Sequence, residues 1–460
     1  MFDLIIAGGG PAGYAAAIRT AQLGGKVLMV ERDKVGGTCL HRGCIPTKVL
    51  YQHAASVEQI RSGLKNGFLK GELTLDLTAV PVKQQEVISR LHAGLQHVLK
   101  TKGIEIIHGT AEVVFPGTLV LKKEKDSAPV ELKASNILIA TGSREAELNI
   151  SGSQLLTKAE EALQPPQVPC RVAVIGGGNT GLELASSYAS LGFEVTVLEK
   201  EKVIIPALED PELNKVLAFL LKRRGIKILT GVSVTGIEPS GDEILLTINT
   251  SSGEQKLVVQ RAVSAVGRLP NLEVLGSGME GIQTNSQGIM VNERQDTGVP
   301  HVYAAGDVTG PPLLAHLSYF EGITAAENIM GGNKILDRSA IPFFMAADPG
   351  LAWVGITEQQ AKKMKIPYKV GRFPFSANGR ALVKGKTEGL VKVVVRESDG
   401  VLLGMQVLGS DAEDLIIEGV LAVQHQLTAG QMAETIHPHP TLGEAAWESY
   451  LTVMEKALHG

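Results

Sequence analysis

Cysteine is nearly absent: three residues in 460, at positions 39, 44 and 170. That excludes a disulfide framework, so any bridge among them serves chemistry rather than rigidity. An excess of one charge is missing as well. Lys and Arg total 44 against 48 Asp and Glu, a formal net charge of −4. No basic patch is left on the scale that nucleic acid or an anionic lipid surface requires. No uncharged apolar run reaches about 18 residues, so no membrane span is expected. The opening Met1-Phe2-Asp3 lacks the basic start and cleavage site of an export signal. Together these absences read as a soluble cytoplasmic protein. The composition, 44% hydrophobic and 20% charged, is that of an ordinary globular chain. Its length suggests about three domains, or one split nucleotide-binding core with an appendage.

Glycine is abundant, at 52 residues, and clusters at the ends of apolar runs. A strand pattern over 3–7 runs into Gly8-Gly9-Gly10-Pro11-Ala12-Gly13, then helical composition from Tyr14 to Leu23, then a strand from Lys26 to Val30 ending at Glu31. Strand, glycine turn, helix, strand and acid form the setting a dinucleotide fingerprint requires. Gly8 permits a tight turn, Gly10 lets backbone approach a pyrophosphate, and Gly13 lets helix and strand pack closely. The helix N-terminus offers unpaired N–H groups to phosphate, and Glu31 is placed to accept from a ribose.

The pattern recurs at a strand over Arg171–Ile175, the turn Gly176-Gly177-Gly178-Asn179-Thr180-Gly181, a helix over Leu182–Leu191 and a strand over Glu194–Leu198 ending at Glu199. Glycine spacing and the interval to the acid are the same in both copies. Each acid favours an unphosphorylated ribose, because a carboxylate repels a 2′-phosphate; Lys200 and Lys202 temper that preference. Two such units can hold two dinucleotides and pass electrons between them.

Cys39 and Cys44 close a very small loop, and a bridge there stabilises by only about 2 kcal/mol, against about 4–5 for a 100-residue loop. A bond made and broken during turnover accounts better for that placement. A zinc site using Cys39, His41 and Cys44 and a pair of inert buried thiols are the alternatives. Cys170 reads as a buried free thiol.

The segment Gly36-Gly37-Thr38-Cys39-Leu40-His41-Arg42-Gly43-Cys44-Ile45-Pro46-Thr47-Lys48 resembles the redox-disulfide segment of the flavoprotein disulfide reductases, in the dihydrolipoamide dehydrogenase form. That form usually has Asn at the position of His41 and often Ser at Thr47. The resemblance runs along essentially the whole chain. Ala140-Thr141-Gly142 is similar to the crossover out of the first flavin segment, and Ala265-Val266-Gly267-Arg268 to the crossover out of the NAD domain. Ala304-Ala305-Gly306-Asp307 resembles the second flavin motif, and His439-Pro440-Thr441 with Glu444 the family's histidine signature. No Cys follows position 170, which sets aside mercuric reductases and high-molecular-weight thioredoxin reductases. Glu199 stands where glutathione reductases usually read NADP. Asn179-Thr180 departs from the usual aromatic or aliphatic residue followed by Ile, and Ser143 to Ser153 lacks the prolines common there.

The resemblance implies an α/β fold with two dinucleotide-binding, Rossmann-like domains, the FAD domain split in sequence, and a C-terminal α+β dimerisation domain. The expected boundaries are 1–145 and 271–340 for the FAD domain, 146–270 for the NAD domain and 341–460 for dimerisation. A helical pair is expected at about 50–100, a helix from about Leu314 to Ile329, and a hairpin from Leu390–Glu397 and Val401–Leu408. Helices follow over Ala412–His425 and Glu444–Leu458. FAD is assigned to Gly8, Gly10, Pro11, Ala12, Gly13, Glu31, Gly37, Thr38, Thr141, Gly142, Gly306, Asp307 and Ala315. NAD is assigned to Gly176, Gly178, Gly181, Glu199 and Gly267.

In the implied chemistry a dithiol attacks Cys39 and Cys44 lies against the flavin. His439 is the base supported by Glu444, and Lys48 and Glu183 pair beside the isoalloxazine. A homodimer is implied, with His439 of one protomer serving Cys39 of the other. The substrate is a lipoylated carrier domain or free dihydrolipoamide, with docking to a subunit-binding domain of a 2-oxo acid dehydrogenase or related complex. A related NAD(P)H-dependent reductase of another small disulfide is the alternative enzyme, and a flavin-bound redox sensor or scaffold the alternative of another class.

Overall fold

The computed structural model describes residues 1–115, 117–122, 129–276 and 281–459. Contacts divide the chain into two compact units: 1–49, 79–146 and 267–337 in the first, and 50–78, 147–266 and 338–460 in the second.

The first unit is built on the strand Phe2–Ala7, whose last four residues are fully buried. A continuous apolar run of this kind belongs in the middle of a parallel sheet covered on both faces. Parallel strands Val27–Glu31 and Glu105–His108 extend the sheet on one side. The long strand Val130–Ile139 lies on the other side and pairs in turn with Val302–Ala304. Thr118–Lys122 and Thr110–Phe115 continue the sheet antiparallel from the start of Val130–Ile139. The helix Pro11–Gln22 packs along Ala315–Ile329 with very small residues at the crossing: a Cβ on Gly322 would lie 2.2 Å from the Ala12 carbonyl oxygen.

The second unit repeats the parallel theme. Arg171–Ile175 lies between Glu194–Glu199 and Arg261–Ser264, with Lys227–Thr230 and Thr157–Lys158 at the edges. A three-stranded antiparallel meander spans Ser233–Val259. The C-terminal region is a five-stranded antiparallel sheet in the order Phe343–Met345, Gly350–Gly355, Leu402–Gly409, Leu390–Arg396, Tyr368–Pro374. Its strands alternate. Val391, Val393, Val395, Met405 and Val407 join the core with Ile416, Ala445 and Tyr450 of the helices Ala412–Gln424 and Glu444–Val453. Phe343, Trp353, Gln406, Lys392 and Arg372 are paired across the five strands on the other face.

Several boundaries differ from the sequence reading. The fingerprint helices begin at Pro11 and Asn179 rather than Tyr14 and Leu182, because Gly13 and Gly181 already belong to the first turn of each helix. Proline is tolerated at that first position because its missing N–H has no intrahelical partner there. The first helix of the pair expected near 50–100 starts earlier, at Cys44, and runs to Lys65; the second is Ala79–Thr101. The last helix stops at Val453 instead of Leu458, with Glu455 left-handed at φ 58°.

Candidate active site

In the first glycine turn, Gly8 has φ 108°, and a Cβ there would lie 2.3 Å from the Ala140 carbonyl oxygen. Only glycine fits. Gly10 is the N-cap of the helix Pro11–Gln22 and receives no side-chain cap; a Cβ on it would meet nothing within 4 Å. The start of the helix is therefore open at Gly10. Glu31 is buried, with one carboxylate oxygen accepting from the Gly9 amide at 2.6 Å and the other from the Asp33 amide at 2.8 Å. A carboxylate has about four acceptor positions, so two remain for ribose hydroxyls.

The second turn matches this closely. Gly176 has φ 115° with the Ala265 oxygen 2.2 Å from its Cβ position, and Gly178 opens on empty space. Glu199 accepts from the Gly177 and Glu201 amides at 2.5 and 2.7 Å. Both sites present a helix N-terminus to an anion and a positioned carboxylate to a diol.

The crossover segments of the first unit are tied together. Thr141 Oγ1 donates to the Asn271 carbonyl at 2.8 Å, and Asn271 Nδ2 returns a bond to the Thr141 carbonyl at 2.9 Å. The Asp307 carboxylate accepts from Ser143 Oγ at 2.6 Å, and Ser143 Oγ accepts from Arg268 Nε at 2.8 Å. Gly142, Gly267 and Gly306 are all left-handed. The Gly306 amide donates to buried Glu321 at 2.7 Å. Ala315 opens its helix with no side-chain cap.

The cysteine segment rests on the first turn: a Cβ on Gly37 would lie 2.8 Å from Gly10 Cα. Cys39 lies in the helix Gly37–Arg42 just past Thr38, and Cys44 opens the helix Cys44–Lys65, with Gly43 between the two helices. Their sulfurs are 2.7 Å apart. The hydrogen bond to Cys44 and burial push the Cys39 thiol far up, with Lys48 opposing. Thr47 Oγ1 donates to the Gly43 carbonyl at 2.7 Å, fixing the helix start. His41 turns away from the sulfurs' pairing. Its Nε2 is 2.9 Å from the Val35 carbonyl, which His92 Nδ1 also approaches at 3.0 Å. Among the described residues Cys39, His41 and Cys44 do not form a metal-holding group. Cys170 is half-buried, and burial raises its thiol, with Arg261 opposing.

In the second unit, His439 Nδ1 is 2.8 Å from Glu444 Oε1, while Glu444 Oε2 accepts from the Thr441 amide at 2.8 Å. Burial works to raise the Glu444 carboxyl, but the Thr441 amide and His439 outweigh it and hold the group below its usual range. The His439 side chain is 79% exposed and the Glu444 side chain 19%. The carboxylate is thus set in protein while the ring faces solvent, with Nε2 available. His437 is different: only 10% of its side chain is exposed, one nitrogen is at the Thr435 carbonyl and the other at Glu418. Lys48 lies in the first unit, in the helix that Cys44 opens. Glu183 lies in the second, buried and accepting from the Ala346 amide at 2.8 Å.

The profile of the pyridine nucleotide-disulphide oxidoreductases matches residues 2–322, and that of their dimerisation domain matches residues 341–450. The chain belongs to this family. A dihydrolipoyl dehydrogenase of Thermus scotoductus is 40% identical across all of this chain and 98% of its own length. One of Geobacillus stearothermophilus is 37% identical over 99% of this chain and 97% of its own. Among solved structures, the HOCl-induced flavoprotein disulfide reductase RclA of Escherichia coli superposes with a TM-score of 0.86 at 26% identity, covering 97% of this chain and 99% of that one. LpdA of Mycobacterium tuberculosis gives 0.89 at 24% identity, over 97% and 98%.

Like other pyridine nucleotide-disulphide oxidoreductases the chain takes FAD and NAD, and the uncapped helix starts with open space over Gly10 and Gly178 fit their diphosphates. Sequence reasoning missed three features of the site. Ser143 links Arg268, 125 residues on, to Asp307, 164 residues on. Asn271, three residues past the Ala265–Arg268 motif, bridges the crossovers. Tyr14 donates to the Tyr319 hydroxyl at 2.9 Å; burial raises both phenols, and both sulfurs add to the effect. A tyrosine three residues before buried Gly322 in the helix Ala315–Ile329 was the only signal for that pair.

Proposed function

We infer that this chain is a dihydrolipoyl dehydrogenase, active as a cytoplasmic homodimer on a lipoylated carrier domain or free dihydrolipoamide, with NAD⁺ as acceptor. The observation that carries this reading is a close cysteine pair seated directly on a dinucleotide turn, in a chain with a second such turn. Full-length relatives named dihydrolipoyl dehydrogenase support it.

A substrate thiolate attacks Cys39 Sγ, breaking the Cys39–Cys44 bond and forming a mixed disulfide. His439 of the opposite protomer accepts the thiol proton at Nε2. Its Nδ1–H stays bonded to Glu444, whose carboxylate stabilises the imidazolium. The second substrate sulfur then displaces Cys39, its proton passing to the departing Cys39 thiolate while His439 keeps the first, and the substrate leaves as the cyclic disulfide. Two electrons then reside in the pair, with Cys39 protonated and Cys44 a thiolate. Lys48 favours negative charge there. Bound at the first turn, FAD supplies the two-electron relay from the sulfur pair to NAD⁺. Glu31 and Glu199 orient the two riboses, and Asp307, held by Ser143, positions the flavin's ribityl–phosphate region.

Comparing NADH oxidation by lipoamide, glutathione disulfide and coenzyme A disulfide tests the assignment. Lipoamide is expected to be preferred by at least about a hundredfold in kcat/KM. Preference for either other disulfide would replace this reading by that of a small-disulfide reductase.

A further inference from the structure

The segment joining the second turn's strand to the helix Pro211–Arg223 is strained. Ile205 has φ 44° and Glu209 φ 49°, flanking the short turn Pro206–Leu208. Ile205 is fully buried. A β-branched residue in left-handed backbone is a genuine outlier and persists only where its surroundings over-determine it.

The restraints form a chain. The Ile205 amide donates to the Gly177 carbonyl at 2.9 Å, so the peptide units around Gly177 are held at this carbonyl by Ile205 and at the amide by Glu199. Buried Asn214 donates to the Ile204 carbonyl at 2.6 Å and reaches Ile205's at 3.3 Å. At the far end, Thr357 Oγ1 donates to the Glu209 carbonyl at 2.9 Å, and Gln360 and Lys363 bind the Glu209 carboxylate. Asp210 caps the helix through the Leu213 amide at 3.1 Å. Its other oxygen meets Lys392 Nζ at 2.8 Å, and both of these side chains are almost completely buried. Glu212 and Glu358 also lie within 3.0 Å of that ammonium, and Arg372 binds both carboxylates.

The first turn shows what is unusual. There the Gly9 carbonyl accepts from the Gly36 amide at 2.8 Å, and Gly36, at φ 109°, is a glycine that adopts this backbone without strain. The second turn makes the same closure with an isoleucine, and a buried charge cluster stands behind it.

We propose that Lys392, through Asp210 and the strap Ile205–Glu209, is a positioning residue for NAD: it keeps Gly177, and with it Glu199, in place from the C-terminal sheet. The proposal rests on the second turn being the NAD site. Three holoenzyme variants test it: Asn214→Ala, Lys392→Met, and Lys392→Met with Asp210→Asn. The last removes the stranded buried carboxylate while keeping a good helix cap. Lys392→Met is expected to lower the unfolding midpoint, and the double variant to recover most of it. All three are expected to raise KM for NAD⁺ about fivefold to tenfold with kcat within about twofold, and to leave anaerobic reduction by dihydrolipoamide unchanged. Glu199→Ala is the reference. If Glu199→Ala weakens NAD⁺ while Asn214→Ala and the double variant keep KM within twofold, the strap does not position the turn and the proposal fails. If Glu199→Ala itself has no effect, the NAD assignment of this turn fails and takes the proposal with it.

Discussion

At the scale of single residues, His439 and Glu444 form one hydrogen-bonded pair. The carboxylate is anchored by the Thr441 amide and held below its usual range, so it orients the ring through Nδ1 and leaves Nε2 to solvent. His439→Gln is therefore expected to slow dihydrolipoamide oxidation by about 10²–10⁴, with reduction of bound flavin by NADH nearly unaffected. Stopped-flow measurement of the two half-reactions checks this, and equal losses in both would remove His439 as the thiol base. The pair could be found because it resembles the family's signature, His-Pro-Thr followed by Glu, whose register passes over neighbouring His437. The Arg268–Ser143–Asp307 relay could not, because its members come from three distant segments and no local pattern joins them.

At the scale of elements, the glycine turns were readable because each glycine answers a steric demand that no other residue meets. Gly8→Ala would press its Cβ against the Ala140 carbonyl and Gly176→Ala against the Ala265 carbonyl. The first substitution is expected to yield protein purified without flavin, the second a yellow protein with NADH binding weakened at least about tenfold. Flavin content by absorbance and NADH titration decide the matter, and the opposite allocation would exchange the two sites. The hairpin at Leu390–Arg396 and Leu402–Gly409 was legible from its alternation, yet the same alternation concealed Lys392, which reads as an exposed position in a valine-rich strand. Its partners make it internal. Burial opposes the charge on Lys392 and on Arg372, but the carboxylates outweigh it and hold both cations above their usual values, while Glu212 is held below its own despite burial. A depressed carboxyl contributes stability above its ordinary value and loses it as pH falls; a raised ammonium contributes below its ordinary value and loses it as pH rises. The stability difference between wild type and the Lys392→Met, Asp210→Asn variant should hold from about pH 5 to pH 10 and shrink on both sides. Calorimetry across that range checks the window, and a pH-independent difference would show that the ion cluster contributes only packing.

At the scale of the whole molecule, the dimerisation domain carries His439 while Cys39 and Cys44 lie in the other unit. If each site draws its histidine from the opposite protomer, mixing inactive Cys39→Ser and inactive His439→Gln protein with subunit exchange should restore roughly a quarter of wild-type activity, because each mixed dimer rebuilds one intact site. No recovery from demonstrably mixed dimers would place base and thiol in the same chain. The doubled fingerprint and the overall α/β class were visible from the order of motifs. What the sequence concealed lies where side chains from remote segments meet, as at Tyr14–Tyr319 and in the strap at Ile205. The central claim is that the Cys39–Cys44 pair gates electrons between dithiol and flavin. Anaerobic titration of the purified protein with dihydrolipoamide tests it most directly. Wild type is expected to gain a long-wavelength absorbance band at two electrons per subunit, Cys39→Ser to show that band without turnover, and Cys44→Ser to lack it. A band that survives in Cys44→Ser, or full activity from a colourless preparation, would contradict the account.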